Sequence, residues 1–279
     1  MDSAGYEQMQ ERHLQRIKLL RLFDDDFFTR CFEGSIECTE LLLHIILEKP
    51  DLQVEEVKVQ HTIKNLQGRS VRLDIYAADS AGIPYNIEIQ RDDRGAGARR
   101  ARFNSSIIDA NILQAGGETD RLPENFVIFI TEHDAIGGNK PVYHINRVIQ
   151  ETGCLFGDGS HILYVNGAWR DDSPVGRLMH DFSCTDPDQM YYELLAGRMR
   201  YFKEDKEGVH TMCKIFEDYG KEIAREVTKE VTREVTREKL LEHLKMLMKN
   251  LNLTVDQAMD ALSVPPEDRT DVKSRIAAS

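Results

Sequence analysis

Apolar and polar residues alternate along two neighbouring segments in the N-terminal half of the chain, residues 71–77 (VRLDIYA) and 84–90 (PYNIEIQ). A period of two is typical of half-buried β-strands. Between them, Ser80, Ala81 and Gly82 suit a three-residue hairpin loop, in which the glycine takes the left-handed conformation. A loop centred on Ala81 pairs position 74 with 88, 75 with 87 and 73 with 89.

This register predicts that the hairpin has one apolar face and one acidic face. The acidic face carries Asp74, Glu88 and Gln90. The buried face is predicted to hold six apolar side chains: Val71, Leu73, Ile75, Tyr85, Ile87 and Ile89.

Other periodic segments predict an α/β protein with a mixed sheet. Ser35 suits the N-cap of a helix that Pro50 follows. After residue 166 the pattern is mainly helical. Helices are predicted over 8–22, 36–47, 96–113 and 186–203, and further strands over 57–63, 126–131 and 161–166.

The predicted pairing of Asp74 with Glu88 is costly, because directly opposed like charges destabilise a sheet. Two charges about 4 Å apart repel by roughly 4 kcal/mol at an effective dielectric constant near 20. The carboxylates can splay into water, share a proton, or bind a cation. Hard divalent ions such as Mg²⁺ prefer such oxygen ligands.

The spacing of Asp74, Glu88 and Gln90, D-x13-E-x-Q, resembles the core of PD-(D/E)XK nucleases, in the variant with Gln in place of Lys. The similarity is closest to the group of recombination-promoting nucleases and putative transposases, and covers roughly residues 15–208. Three further segments carry it: 25–32 (DDFFTRCF), with Thr29 where Lys is common, 100–110 (RARFNSSIIDA) and 126–131 (FVIFIT).

The resemblance implies a restriction-endonuclease-like fold, in which helices flank a mixed central sheet. It also implies Mg²⁺ as the cofactor, with Mn²⁺ as a substitute. Asp74 and Glu88 would be its ligands, with the backbone carbonyl of Ile89 as a third. Gln90 cannot act as a base, but its amide can hydrogen-bond the attacking water or a phosphate oxygen. Asp25 would be an additional acid; a helix N-cap is an equally good interpretation of that residue.

The charge of the chain as a whole opposes binding to nucleic acid, whereas a local cluster of arginines favours it. The 279 residues carry a formal charge of −12, which opposes non-specific adhesion to phosphates. A local cluster of arginines follows the second hairpin strand, although Asp92 and Asp93 dilute it. We expect four of these arginines to contact nucleic acid, while a solvated loop and helix face remains the alternative: Arg94, Arg99, Arg100 and Arg102.

Neither a membrane nor an oxidising compartment is indicated. The longest strongly apolar stretch, residues 41–47, is too short to cross a bilayer. The N-terminus lacks the basic start and apolar core of a secretory signal. Five scattered cysteines without C-x-x-C spacing favour a reduced, cytoplasmic setting.

The C-terminal part predicts a separate helical region. Residues 221–238 repeat with a period of four (EIAR-EVTK-EVTR-EVTR), so each chemical class forms its own stripe. We expect an exposed helical arm over 209–250, either self-associating or simply solvated. The arm follows a nuclease-like domain over 1–208 and precedes a short helical tail over 251–279. Thr254 and Gln257 have the spacing of a capping box in that tail.

The sequence therefore predicts a Mg²⁺-dependent DNA endonuclease, with RNA as a second possible substrate. The alternative is a catalytically weak or inactive nuclease-fold protein that binds nucleic acids or proteins. His61 and His144 are left outside the site, because a lone histidine is more often a structural hydrogen-bonding group.

Overall fold

A computed structural model describes residues 3–65, 68–91, 93–113 and 115–277. The chain divides into two compact units, Met1–Cys213 and Lys214–Ser279. The first is an α/β unit built on one six-stranded mixed sheet, as the sequence predicted. The second is helical.

The sheet has the strand order β1-β2-β3-β4-β6-β5. Strands β3, β4 and β6 are parallel to one another, and the other neighbouring pairs are antiparallel. The strands are β1 (Val54–Ile63), β2 (Val71–Asp79), β3 (Pro84–Gln90), β4 (Asn125–Thr131), β5 (Val142–Ile145) and β6 (Ser160–Asn166).

The described residues form nine α-helices: α1 to α6 lie within the first unit, the long α7 runs from the first unit into the second, and α8 and α9 lie in the second. They are α1 (Ser3–Leu19), α2 (Asp25–Phe32), α3 (Ile36–Leu47), α4 (Ala98–Ile112), α5 (Pro174–Ser183), α6 (Glu193–Glu204), α7 (Lys206–Leu251), α8 (Val255–Ala261) and α9 (Arg269–Ala277).

The predicted hairpin loop is confirmed, and so is the predicted pair of Ile75 with Ile87. The observed pairing of β2 with β3 begins at Ile75 and does not include the predicted pairs of 73 with 89 and 74 with 88. Gly82 has a φ of 76°, in the left-handed region. Asp79 fixes the turn, because its Oδ1 accepts the backbone N–H groups of Ala81 and Ile83, each at 2.9 Å.

The burial predicted for the apolar residues of the hairpin is confirmed for all but Val71, which is half-buried. Strand β3 is central, since β4 pairs with its other edge, and six of its seven residues are buried. The acidic residues lie inside the protein as well, Asp74 at 8% exposed and Glu88 at 0%, so their carboxylates do not splay into water. Strands covered on both faces show no reliable alternation of burial.

The predicted common face of Leu73 and Ile87 is wrong. Leu73 belongs to a cluster with Val127 and Phe129, whereas Ile87 is registered beside Ile128 and points to the opposite face. The irregularity lies at Asp74. Opposite it in β1, Gln60 has a φ of 48°, in the left-handed region that non-glycine residues rarely adopt.

Most predicted elements form, with shifted ends. The helix predicted over 8–22 is α1, which begins at Ser3 and ends at Leu19, and β1 begins at Val54. The Ser35 cap is confirmed, because its Oγ accepts the N–H of Cys38 at 3.4 Å. The sequence missed β5 and α5. A 3₁₀ turn over Pro187–Gln189 replaces the start of the helix predicted over 186–203.

Helix α4 packs on one face of the sheet and positions the candidate site. Its Ala101, Ile107 and Ile108 form a buried cluster with Val127 and Phe129. Elsewhere in this unit, α2 contacts α6 and α5 through pairs of phenylalanine rings. The sheet thus holds α4 beside the ends of β2 and β3.

The second unit packs the last turns of α7 against α8 and α9. Leu244, Met259 and Val272 lie in its buried cluster. The capping box is confirmed, with Thr254 Oγ1 accepting the N–H of Gln257 at 3.3 Å. The repeat of residues 221–238 is helical, as predicted, and its Val231 is 57% exposed. In the described part of the chain, no helix is long and apolar enough to cross a membrane.

Candidate active-site cleft

A cleft of about 1000 Å³ opens where β2, β3 and α4 meet the first turn of α2. Its lining combines carboxylates, several arginines and one exposed aromatic ring. The residues that line it are Phe23, Asp25, Arg69, Ser70, Val71, Arg72, Asp74, Ile89, Gln90, Arg91, Arg99, Arg100, Phe103 and Asn104.

Asp74 lies between the two hairpin strands and holds them together. Its Oδ2 accepts the backbone N–H of Ile89 at 3.0 Å. The backbone carbonyl of the next residue, Gln90, accepts the N–H of Glu132, which follows β4. The Gln90 carbonyl is therefore directed toward β4 and away from β2. Because alternate residues of a strand direct their backbone groups to opposite sides, the Ile89 carbonyl is directed toward the Asp74 side.

Glu88 lies beneath the cleft, fully buried, and is held by helix α4. Arg100 donates from Nη2 to Glu88 Oε2, and Asn104 donates from Nδ2 to Oε1 at 3.3 Å. Arg100 also donates from Nη1 to the carbonyl of Gly95 at 3.0 Å and lies over the Phe129 ring. The guanidinium therefore neutralises one of the two acidic residues that the sequence singled out.

Burial disfavours the charged forms of both carboxyl groups. It raises the pKa of Glu88 well above its usual range; the charge of Asp74 raises it further, while Arg100 opposes the increase. Burial likewise raises the pKa of Asp74, and the charge of Asp25 adds to the effect. Both carboxyl groups are therefore harder to ionise than in water, and the charge of one acts on the other.

Asp25 lies at the rim of the cleft, as the first residue of α2. Its alternative interpretation as an N-cap is wrong, since Asp24 is the cap residue. Burial raises the pKa of the Asp25 carboxyl, and the neighbouring Asp26 adds to the effect. Its charge acts on Asp74 across the cleft.

Gln90 reaches into the cleft from the end of β3 and rests against a glycine. A Cβ atom at Gly95 would overlap the Gln90 Oε1 and come within 2.8 Å of its Cδ. The glycine therefore leaves room for the amide. Gln90 is the side chain that could orient a water or a phosphate oxygen here.

The four arginines predicted to contact nucleic acid have different positions. Arg99 is exposed and lines the cleft. Arg100 lines it too but is bound to Glu88. Arg102 is exposed on α4 outside the lining residues. The side chain of Arg94 lies outside the described residues.

Two cleft arginines were missed by the sequence analysis. Arg69 and Arg72 are exposed and line the cleft, and Arg72 lowers the pKa of Asp74. They precede Asp74 in the chain, and no periodic pattern distinguishes them from other surface cations. Among the described residues, neither of them has an ion-pair partner, and the same holds for Arg99.

Arg91 also lines the cleft, but its guanidinium is held in ion pairs. It donates from Nη1 to Asp24 Oδ1 at 2.8 Å and from Nε to Glu132 Oε2 at 3.1 Å. Glu132 also pairs with Arg21 at 2.8 Å. This network ties the start of α2 to the ends of β3 and β4.

The donor atoms are those that a hard cation prefers. Within the described ranges, no group of three or more His, Cys, Asp or Glu side chains is arranged to hold a metal. A divalent ion would therefore depend on Asp74, Glu88 and the Ile89 carbonyl, completed by water, as is usual for Mg²⁺. Asp74 keeps its Oδ1 for such a role, whereas Glu88 must first exchange Arg100.

The two histidines that sequence reasoning set aside do not line the cleft. His61 packs its ring against Tyr76, with 5.3 Å between the centroids. His144 lines a separate cavity of about 250 Å³ together with His161. Their placement leaves carboxylates, an amide and arginines as the chemistry of the cleft.

Comparisons with protein families, with curated proteins and with solved structures found no match to this chain.

Proposed function

We propose that the protein is a Mg²⁺-dependent DNA endonuclease that hydrolyses phosphodiester bonds in this cleft. One observation carries the proposal: Asp74 lines a cleft rich in arginines, and the fully buried Glu88 lies close enough to it for the charge of Asp74 to raise the Glu88 pKa. Buried carboxylates with strongly raised pKa values concentrate at functional sites. The resemblance of D-x13-E-x-Q to PD-(D/E)XK nucleases supports the same assignment.

The acidic residues would hold the ion. Asp74 offers Oδ1, Ile89 its carbonyl oxygen, and Glu88 its carboxylate once Arg100 has moved. A bound Mg²⁺ lowers the pKa of a water ligand and offsets the negative charge of the transition state. Mn²⁺ would substitute, since it accepts the same oxygen ligands.

The remaining cleft residues would position the substrate. Gln90 lies where its amide can donate a hydrogen bond to a phosphate oxygen or accept one from the attacking water. Arg69, Arg72 and Arg99 supply positive charge for the phosphate backbone. This local charge answers the objection raised by the net charge of −12.

Arg100 links two states of the site, one in which it pairs with Glu88 and one in which it binds a phosphate of the substrate. In this structure its guanidinium neutralises Glu88. Arginine binds phosphate through the same forked geometry that it uses for carboxylates. We expect an arriving phosphodiester to draw the guanidinium off Glu88 and so release the carboxylate for the ion.

The same ion pair favours a second candidate function. If Arg100 stays on Glu88, the cleft binds nucleic acid without cutting it. The protein would then be a binding module with a nuclease-like fold. Activity in the presence of a divalent ion separates the two functions.

The test is a plasmid-nicking assay with purified protein and Mg²⁺ or Mn²⁺, comparing wild type with Asp74→Asn and Glu88→Gln. Asp188→Asn is the matched control, because that carboxylate is 77% exposed and lies outside the cleft. Nicking by wild type and the control, but by neither site variant, supports the nuclease. Nicking that persists in both variants refutes this site, and no nicking by any protein favours the binding module.

A further inference from the structure

Phe103 is an exposed aromatic ring inside the cationic cleft. Its side chain is 36% exposed, and it lines the cleft between Arg99 and Asn104. Among the described residues, no aromatic ring stacks on it and no cation lies over it. The other phenylalanine of the lining, Phe23, is fully buried and packs edge-on against Phe182.

The position of Phe103 on α4 aligns it with a free cation. Arg99 lies four residues earlier, so both side chains emerge from the same face of the helix. Arg99 is exposed and has no ion-pair partner among the described residues. The helix therefore presents a positive charge and a ring face next to each other along one wall.

The segment that leads into β2 adds further positive charge to the same cleft. Arg69 and Arg72 are exposed and line the cleft together with Arg99 and Phe103. Positive charge along a groove that also holds an aromatic platform is the arrangement by which proteins bind single-stranded nucleic acids. The charges follow the phosphates, and the ring stacks on a base.

A base can stack on a protein ring only when its own face is uncovered. In a duplex both faces of each base are covered by neighbouring base pairs, and the edges alone are open to the grooves. A protein reaches the face by binding single strands or by extruding a base. The cleft of about 1000 Å³ is a local hollow suited to a few nucleotides of one strand.

We propose that the cleft takes single-stranded DNA, with an unpaired base stacked on Phe103 and the flanking phosphates held by Arg69, Arg72 and Arg99. This inference rests on the proposed nuclease and names the form of its substrate. Asp74 lines the same cleft as Phe103, so a phosphate of the bound single-stranded DNA would lie near this carboxyl group.

Binding is measured without any metal, so that it is independent of cleavage. Fluorescence anisotropy with a labelled single-stranded oligonucleotide in EDTA compares wild type, Phe103→Ala and Phe103→Trp. The matched control is Phe156→Ala, since Phe156 is 62% exposed and lies outside the cleft. Thermal unfolding of each variant shows whether it is folded.

We expect Phe103→Ala to weaken single-strand binding by roughly 5- to 150-fold, the effect of losing one stacking ring. Phe103→Trp and Phe156→Ala bind like wild type. The salt dependence of binding stays unchanged in Phe103→Ala, because no charge is removed, whereas Arg99→Gln reduces its slope. Matched duplex DNA binds more weakly than the single strand and is insensitive to Phe103→Ala.

Two results would overturn the inference: a folded Phe103→Ala that binds the single strand as wild type does, or duplex binding that equals single-strand binding. Single-stranded RNA forms a further arm, and a clear preference for it would overturn the assignment to DNA. If binding behaves as expected but no divalent ion yields cleavage, the proposed nuclease fails while the single-strand site stands.

Discussion

Replacing Arg100 with methionine would expose how strongly the protein depends on neutralising Glu88. Methionine keeps the apolar packing over Phe129 but removes the charge. The carboxylate, 0% exposed, would keep only the Asn104 amide at 3.3 Å. Removing one partner of a buried ion pair costs about 3–5 kcal/mol. Because the Arg100 side chain is 39% exposed and water can replace part of it, we expect the lower end, about 3 kcal/mol.

The loss of stability in Arg100→Met should depend on pH, because Glu88 becomes neutral when it binds a proton. Its pKa in the folded protein is raised above the ordinary value by burial. A raised carboxyl pKa means that stability is full below the unfolded value and is lost as pH rises through the folded value. Without Arg100 the pKa rises further. The deficit of Arg100→Met should therefore be greatest near pH 9 and fall to about 1 kcal/mol, one lost hydrogen bond, near pH 5.

Urea denaturation in EDTA, followed through the single tryptophan, Trp169, measures this unit. The control is Arg99→Met, one residue earlier, which has no ion-pair partner among the described residues and should change stability little. Adding Glu88→Gln to Arg100→Met should recover most of the deficit at high pH. A deficit that is the same at every pH, or that Glu88→Gln leaves in place, would refute the reasoning.

Three further outcomes test the site and the arm. Mg²⁺ should raise the unfolding temperature more at about pH 8 than at about pH 5, because protons compete with the ion for the Asp74 carboxyl group, whose pKa is raised. Asp74→Asn should abolish this effect, and equal shifts at both pH values would contradict it. Gly95→Ala should displace the Gln90 amide and lower the nicking rate by roughly tenfold, the effect of losing one hydrogen bond. Gln90→Ala should have the same effect, and the double variant should lose no more than either single variant; additive losses would separate the two residues. Val231→Lys should reduce self-association through α7 in sedimentation experiments, while Thr232→Lys should not; a wild type that stays monomeric would refute an associating arm.

Local patterns were sufficient for the hairpin and for the helix caps. A loop of three residues ending in glycine determined the register that pairs Ile75 with Ile87. Ser35 and Thr254 cap helices through contacts within three residues. Such features depend on near neighbours in the chain, so a single sequence contains what is needed to predict them.

Contacts between residues that are far apart in the chain could not be predicted in this way. The full burial of Glu88 could not be predicted from the hairpin alone, because β4, which pairs with the edge of β3, and α4, which contacts Glu88, both follow it in the chain. The short β5 was missed because its four residues pair only with β6 and carry little periodic signal. Arg100 was assigned to nucleic acid, yet its partner lies twelve residues away, on a strand.

The sequence by itself determined which chemical groups are present and which of them are neighbours through local structure: an acidic pair across a hairpin, a glutamine two residues on, and arginines after the strand. Tertiary structure alone decided their environment. It buried the pair, placed the Arg100 charge on Glu88, left Phe103 exposed, and brought Arg69 and Arg72 into the same cleft as residues of α4. The physical reason is that burial and charge compensation depend on which surfaces meet after folding, and pKa values follow from both.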